Sequence, residues 1–87
     1  MIIALDYDDT YTRDPNFWDS VIQLAQNKGH KVVCITMRYP YEIDKEKFPD
    51  VEIICTNRQA KWFYIQEHNI RIDIWIDDSP YFLLNNG

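Results

Sequence analysis

The chain has 87 residues, enough for one domain with a single modest core, since a chain of this size buries only roughly 60 to 65% of its unfolded surface. Its 46% apolar and 15% aromatic content excludes disorder, and no apolar run reaches the roughly 18 to 20 residues that cross a membrane. A formal charge of −5 argues against an extended basic surface for nucleic acid.

Residues 2 to 6, IIALD, predict a short apolar strand that ends in an acid. Asp14 and Pro15 supply an N-cap and first turn. Phe17, Val21, Leu24 and Ala25 follow at helical spacing, and Gly29 supplies the stop, so a helix is predicted over about 15 to 28. KVVCIT, 31 to 36, and VEIIC, 51 to 55, are apolar and β-branched and read as buried strands. The 14 residues between them, 37 to 50, hold Pro40 and Pro49, and EIDKEKF within them has the composition for one or two helical turns. Asn57 is suited to cap a second helix running to about His68, with Asn69 as its stop, and RIDIWID, 71 to 77, is the fourth predicted strand. YFLLNNG closes the sequence with one short helical turn.

Strands that are apolar almost throughout, alternating with helices, predict an α/β fold. The expected form is a minimal Rossmann-like three-layer core, 1 to 87, around a four-stranded parallel sheet. Ligands of such sheets bind beyond the carboxyl ends of the strands. The sequence places Asp6 at the end of the first strand with Asp8, Asp9 and Thr10 just after it, Thr36 at the end of the second, and Asp77 and Asp78 at the end of the fourth. With Asp6, Asp8, Asp9, Asp77 and Asp78 set aside, nine acids face nine bases, so the whole formal excess sits in two clusters. Arg58 and Lys61 fall at the start of a predicted helix, where the helix dipole disfavours cations, and a nearby anion would account for them.

Carboxylates crowded in this way need a counter-charge, and an oxygen-only ligand set suits Mg²⁺. A metal, a lysine and a helix amino terminus together suit a phosphoryl dianion, with one carboxylate as nucleophile and a second as proton donor.

Asp6-Tyr7-Asp8-Asp9-Thr10 after an apolar strand, Thr36 ending the next strand, Lys61 on a later helix and IWIDD at 74 to 78 resemble, in order, the four motifs of the haloacid dehalogenase-like phosphohydrolases. The resemblance spans essentially the whole chain. It implies a Mg²⁺-dependent phosphatase with Asp6 as nucleophile, Asp8 as general acid and base, and Thr10 holding the loop. Thr36, Lys61 and Arg38 are the implied phosphate-side residues. The implied metal set is Asp6, the Asp8 main-chain carbonyl and Asp77 or Asp78, with Asp77 preferred. Many relatives carry glycine where Asp9 stands, and most insert a flap or cap, for which the four residues 11 to 14 leave no room. A capless core with an open site is expected, admitting a nucleotide, a nucleic-acid end, a phosphoprotein or a small metabolite.

The remaining residues have plainer readings. Cys34 and Cys55 look like reduced, buried cysteines, lacking metal-ligand spacing. Tyr7, Tyr11, Tyr39, Tyr41 and Tyr81 offer stacking to an aromatic substrate, with ordinary packing the preferred account. His30 and His68 suit helix-terminal carbonyls. Trp18, Trp62 and Trp75 suit a core or interface. The apolar stretch Tyr81 to Leu84 offers a contact for a second subunit in a homo-oligomer. MIIALDYDD has neither a basic region nor a long apolar run, so a cytoplasmic location is expected. Two rivals stand beside the phosphatase: a non-catalytic relative that binds a metal, a phosphorylated ligand or a protein partner, and a phospho-accepting receiver domain. The receiver would need an acid at the end of the third strand, where Cys55-Thr56 stands.

Overall fold

The computed structural model describes residues 1–86. Four strands, β1 (Ile2–Asp6), β2 (Lys31–Thr36), β3 (Glu52–Cys55) and β4 (Ile74–Ile76), form one all-parallel sheet in the order β3-β2-β1-β4. Helices α1 (Pro15–Asn27), α2 (Lys61–Glu67) and α3 (Tyr81–Leu84) complete the elements, with 3₁₀ turns at Tyr11–Arg13 and Pro40–Glu42. The result is a Rossmann-like α/β core with no cap domain among the described residues.

The sheet is apolar on both faces because its central strands are covered on both. Ala4, Leu5, Val33, Cys34 and Ile35 are each at most 2% exposed. Alternation along the pleat sends Leu5, Val32 and Cys34 to one cluster with Ile22 of α1, and Ala4, Val33 and Ile35 to the other with Ile65 of α2. Asp6 is two residues beyond Ala4 and so shares the α2 side of the sheet. Tyr7 falls on the opposite side, buried, and stacks on Phe48 at 3.5 Å between centroids.

Helix α1 begins as its sequence predicts. Asp14 accepts the Phe17 N–H at 3.2 Å, and Pro15 occupies the first turn. It ends in a Schellman turn: Gly29 lies at φ +85°, its N–H donates to Gln26 O at 3.0 Å, and the His30 N–H donates to Ala25 O at 2.9 Å. The inward stripe is rotated by one residue from the expected one. Trp18, Ile22 and Ala25 meet the core, whereas Phe17 and Leu24 are mostly exposed.

Other elements correct the sequence reading. Helix α2 starts at Lys61, not after Asn57, because Asn57 and Arg58 both adopt left-handed backbone, φ +54° and +68°, which no helix start accommodates. Asn57 therefore does not cap it. Strand β4 keeps only three residues of the seven expected. The helical turn in the long connection lies at Pro40–Glu42, on the N-terminal side of most of EIDKEKF. His30 binds the terminal ammonium of Met1 through Nδ1 at 2.7 Å rather than a helix carbonyl, while His68 Nδ1 does reach Tyr64 O at 2.8 Å. Cys34 is buried and Cys55 half-buried, both free. Trp75 packs on the α2-side cluster, Trp18 on the α1-side cluster, and Trp62 is exposed.

Candidate active site

Parallel pairing puts the carboxyl ends of β1 and β2 in register, Asp6 beside Ile35, while β4 stops at Ile76 opposite Leu5 and releases Asp77 and Asp78 next to Asp6. These ends line a cleft of about 170 Å³ with Asp8, Asp9, Thr36, Met37, Lys61, Ser79 and Phe82. At its floor, Lys61 Nζ donates to Asp6 Oδ1 and to Asp77 Oδ2, both at 2.6 Å. The Thr10 hydroxyl lies 3.0 Å from Asp6 Oδ2 and 3.1 Å from Asp78 Oδ1, and its oxygen accepts the Asp78 N–H at 3.2 Å. The other Asp77 oxygen accepts the Ser79 N–H at 2.9 Å. Thr36 is buried on the cleft wall, its hydroxyl accepting the Arg38 N–H at 3.3 Å.

Two carboxylates thus share one ammonium, with Asp78 alongside on Thr10, in a site where the Asp6, Asp77 and Lys61 side chains are at most 10% exposed. Burial pushes the Asp6 carboxyl up from its ordinary 3.8 to about 6, against the pull of Lys61. Burial also raises Asp78, but hydrogen bonds from Asp6, Thr10 and its own backbone outweigh it and hold that carboxyl below the usual range. Asp6, Asp77 and Asp78 each offer an oxygen within 4.8 Å of the others. This oxygen-only set with excess negative charge suits a hard divalent cation.

Asp8 stands apart from that group. Its carboxylate is held by a fork from Arg38, Nε to Oδ2 at 3.0 Å and Nη2 to Oδ1 at 2.7 Å. Arg38 does not line the cleft; its guanidinium lies over the Tyr7 ring, 5.3 Å from the centroid, and donates to Glu42 O at 3.1 Å. Arg58 is also engaged away from Lys61, with its Nη2 2.8 and 3.0 Å from the two Glu42 carboxylate oxygens. Tyr39 and Tyr41 stack on each other near that pair, with the Arg58 guanidinium 5.6 Å from the Tyr39 centroid.

Some contributors left no readable signal in the sequence. Helix α2 has an alanine at its N-cap, and Asn86 supplies what is missing by accepting the Ala60 N–H at 2.7 Å. Phe82 of α3 reaches the cleft, and Glu42 anchors both arginines. Only the tertiary path of the chain brings these residues in. No family model, curated protein or solved structure matches the chain.

Proposed function

We propose that the chain is a Mg²⁺-dependent phosphomonoesterase of haloacid dehalogenase-like type, working through an aspartyl-phosphate on Asp6. The observation that carries this reading is the setting of Asp6: a mostly buried carboxylate at the floor of an open cleft, held by Lys61 on one oxygen and Thr10 on the other. An Asp6 oxygen attacks the phosphorus, and the ester oxygen leaves with a proton from Asp8. Asp8 then takes a proton from the water that releases phosphate. Lys61 offsets charge on the phosphoryl oxygens, and the Thr36 hydroxyl binds one of them. Asp6, the Asp8 main-chain carbonyl and Asp77 or Asp78 would hold Mg²⁺, which when bound neutralises charge on the nucleophile and the phosphoryl group. Arg38, the third expected phosphate contact, is engaged with Asp8 instead.

A cleft of about 170 Å³ takes a phosphoryl group and little more. The remainder of the substrate lies outside, which suits a nucleotide, a nucleic-acid end, a phosphoprotein or a small phosphorylated metabolite. Asp6→Asn is expected to abolish Mg²⁺-dependent hydrolysis of an aryl phosphate while weakening Mg²⁺ binding only in part. Wild-type turnover by the variant would end the proposal.

One observation favours a second reading, a non-catalytic module that binds a metal or a phosphorylated partner. The charged groups of the site are paired with one another, Lys61 with Asp6 and Asp77, and Arg38 with Asp8. Binding without Mg²⁺-dependent turnover across phosphorylated metabolites, nucleotides and peptides would select it.

A further inference from the structure

We propose that Arg38 is a positioning residue for the second half of the reaction, fixing the Asp8 carboxylate in the orientation from which it takes a proton from the hydrolytic water. The proposal rests on the aspartyl-phosphate reading of Asp6. Asp8 is an exposed side chain, about half accessible, at the rim of the cleft. Among the described residues its carboxylate bonds to no group but Arg38, so without the fork its torsions would sample several wells.

Arg38 is well placed to impose one orientation because it is itself fixed on every other side. Its N–H is bonded to the Thr36 hydroxyl at 3.3 Å and its Nη1 to Glu42 O at 3.1 Å. Its guanidinium lies 5.3 and 5.9 Å from the centroids of Tyr7 and Phe48, two buried rings stacked on each other. Glu42 is secured in turn, its carboxylate accepting from the Tyr39 N–H at 2.9 Å and from Arg58 at 2.8 Å.

The fork matters more in one half-reaction than in the other. Both Asp8 oxygens accept from the guanidinium, a pairing that needs a carboxylate, and this is the form in which Asp8 meets the hydrolytic water. In the first half, where Asp8 carries the proton for the leaving oxygen, one of its oxygens is a hydroxyl and the fork orients it less. In the step it serves, the water oxygen forms a bond to the phosphorus of the Asp6 phosphoryl group and one water proton passes to an Asp8 oxygen. The bond from phosphorus to the Asp6 oxygen breaks, and its electron pair returns to the Asp6 carboxylate. Inorganic phosphate departs.

The two half-reactions separate in a pulse–chase experiment on the full chain in magnesium buffer. Radiolabelled aryl phosphate loads the enzyme, unlabelled substrate chases it, and protein-bound label and first-turnover aryl alcohol are both followed. For Arg38→Ala, decay of the labelled protein is expected to slow about 10- to 100-fold, with a smaller change in label formation. Arg38→Lys, with a point charge in place of a fork, is expected to recover part of the loss, as is free guanidinium added to the alanine variant. Combining Arg38→Ala with Asp8→Asn should slow decay no further than Asp8→Asn alone.

Decay at the wild-type rate overturns the proposal, as does an equal fall in formation and decay. A raised KM with unchanged decay would make Arg38 a phosphate ligand instead. If Arg38→Ala fails to fold, Arg38→Lys and Arg38→Gln give the same comparison. Label retained by Asp6→Asn, or none trapped on wild type during turnover, would bring down the parent reading, whereas Arg38 variants that merely decay normally leave it standing.

Discussion

Asp6 and Asp9 are residues whose local cost the structure makes plain. The folded-state carboxyl of Asp6 is raised to about 6, so the protonated form favours the fold. That contribution is full below the ordinary value of 3.8 and is lost as pH rises through about 6. In chelator, the thermal midpoint of wild type relative to Asp6→Asn should therefore fall as pH rises from about 4 to 6, and magnesium should narrow the gap at neutral pH. A gap that does not change with pH would show that this carboxyl is not raised in the folded protein. Asp9 holds a left-handed backbone, φ +62°, a conformation that suits glycine and strains a residue with a β-carbon. Asp9→Gly is expected to melt at or above wild type, and Asp9→Ala below it by about 1 kcal/mol, or about 4 to 8 °C. Equal midpoints for the two variants would contradict this.

At the scale of elements, legibility in the sequence followed how local the determining physics is. Helix α1 was readable at both ends because Asp14, Pro15 and Gly29 act on neighbouring backbone. The chemistry-bearing strand ends were readable because an acid after an apolar run marks where a parallel strand leaves the sheet, and Asp6, Thr36, Asp77 and Asp78 do line one cleft. Helix α2 departs from its local pattern at its start. Asn57 resembles an N-cap, but the backbone there turns left-handed, and Arg58 N–H donates to Met37 O at 2.7 Å. The cap comes from Asn86, 26 residues away, which no local pattern contains. Asn86→Ala leaves a buried N–H unpaired at the head of the helix that presents Lys61. It is expected to cost about 1 kcal/mol and to lower the melting midpoint by about 4 to 8 °C. An unchanged midpoint would show that the contact adds nothing.

For the molecule as a whole, the charge of −5 becomes a property of one place, since the five acids at and just beyond the ends of β1 and β4 account for all of it. A small core has little stability to spare, so a cation bound only by the folded form should register strongly. Magnesium at about a hundred times its dissociation constant adds about 2.7 kcal/mol, which should raise the melting midpoint by on the order of 10 °C. The rise should shrink when Asp77 or Asp78 is changed to asparagine, and no rise would count against a metal at this site. No helix among the described residues is long and apolar enough to cross a membrane.

The ammonium of Lys61 also joins segments that are far apart in the sequence, bonding at once to the end of β1 and to the residue just past β4. Strand β4 is a three-residue sheet edge, paired to β1 alone, and a strand so short should open readily by itself. With the ammonium in place, its amide protons should exchange with deuterated solvent more slowly than those of an unsupported edge. Replacing Lys61 with methionine should therefore release them first, ahead of β2, so that an alteration made for its chemistry is read out as a local loosening of the sheet.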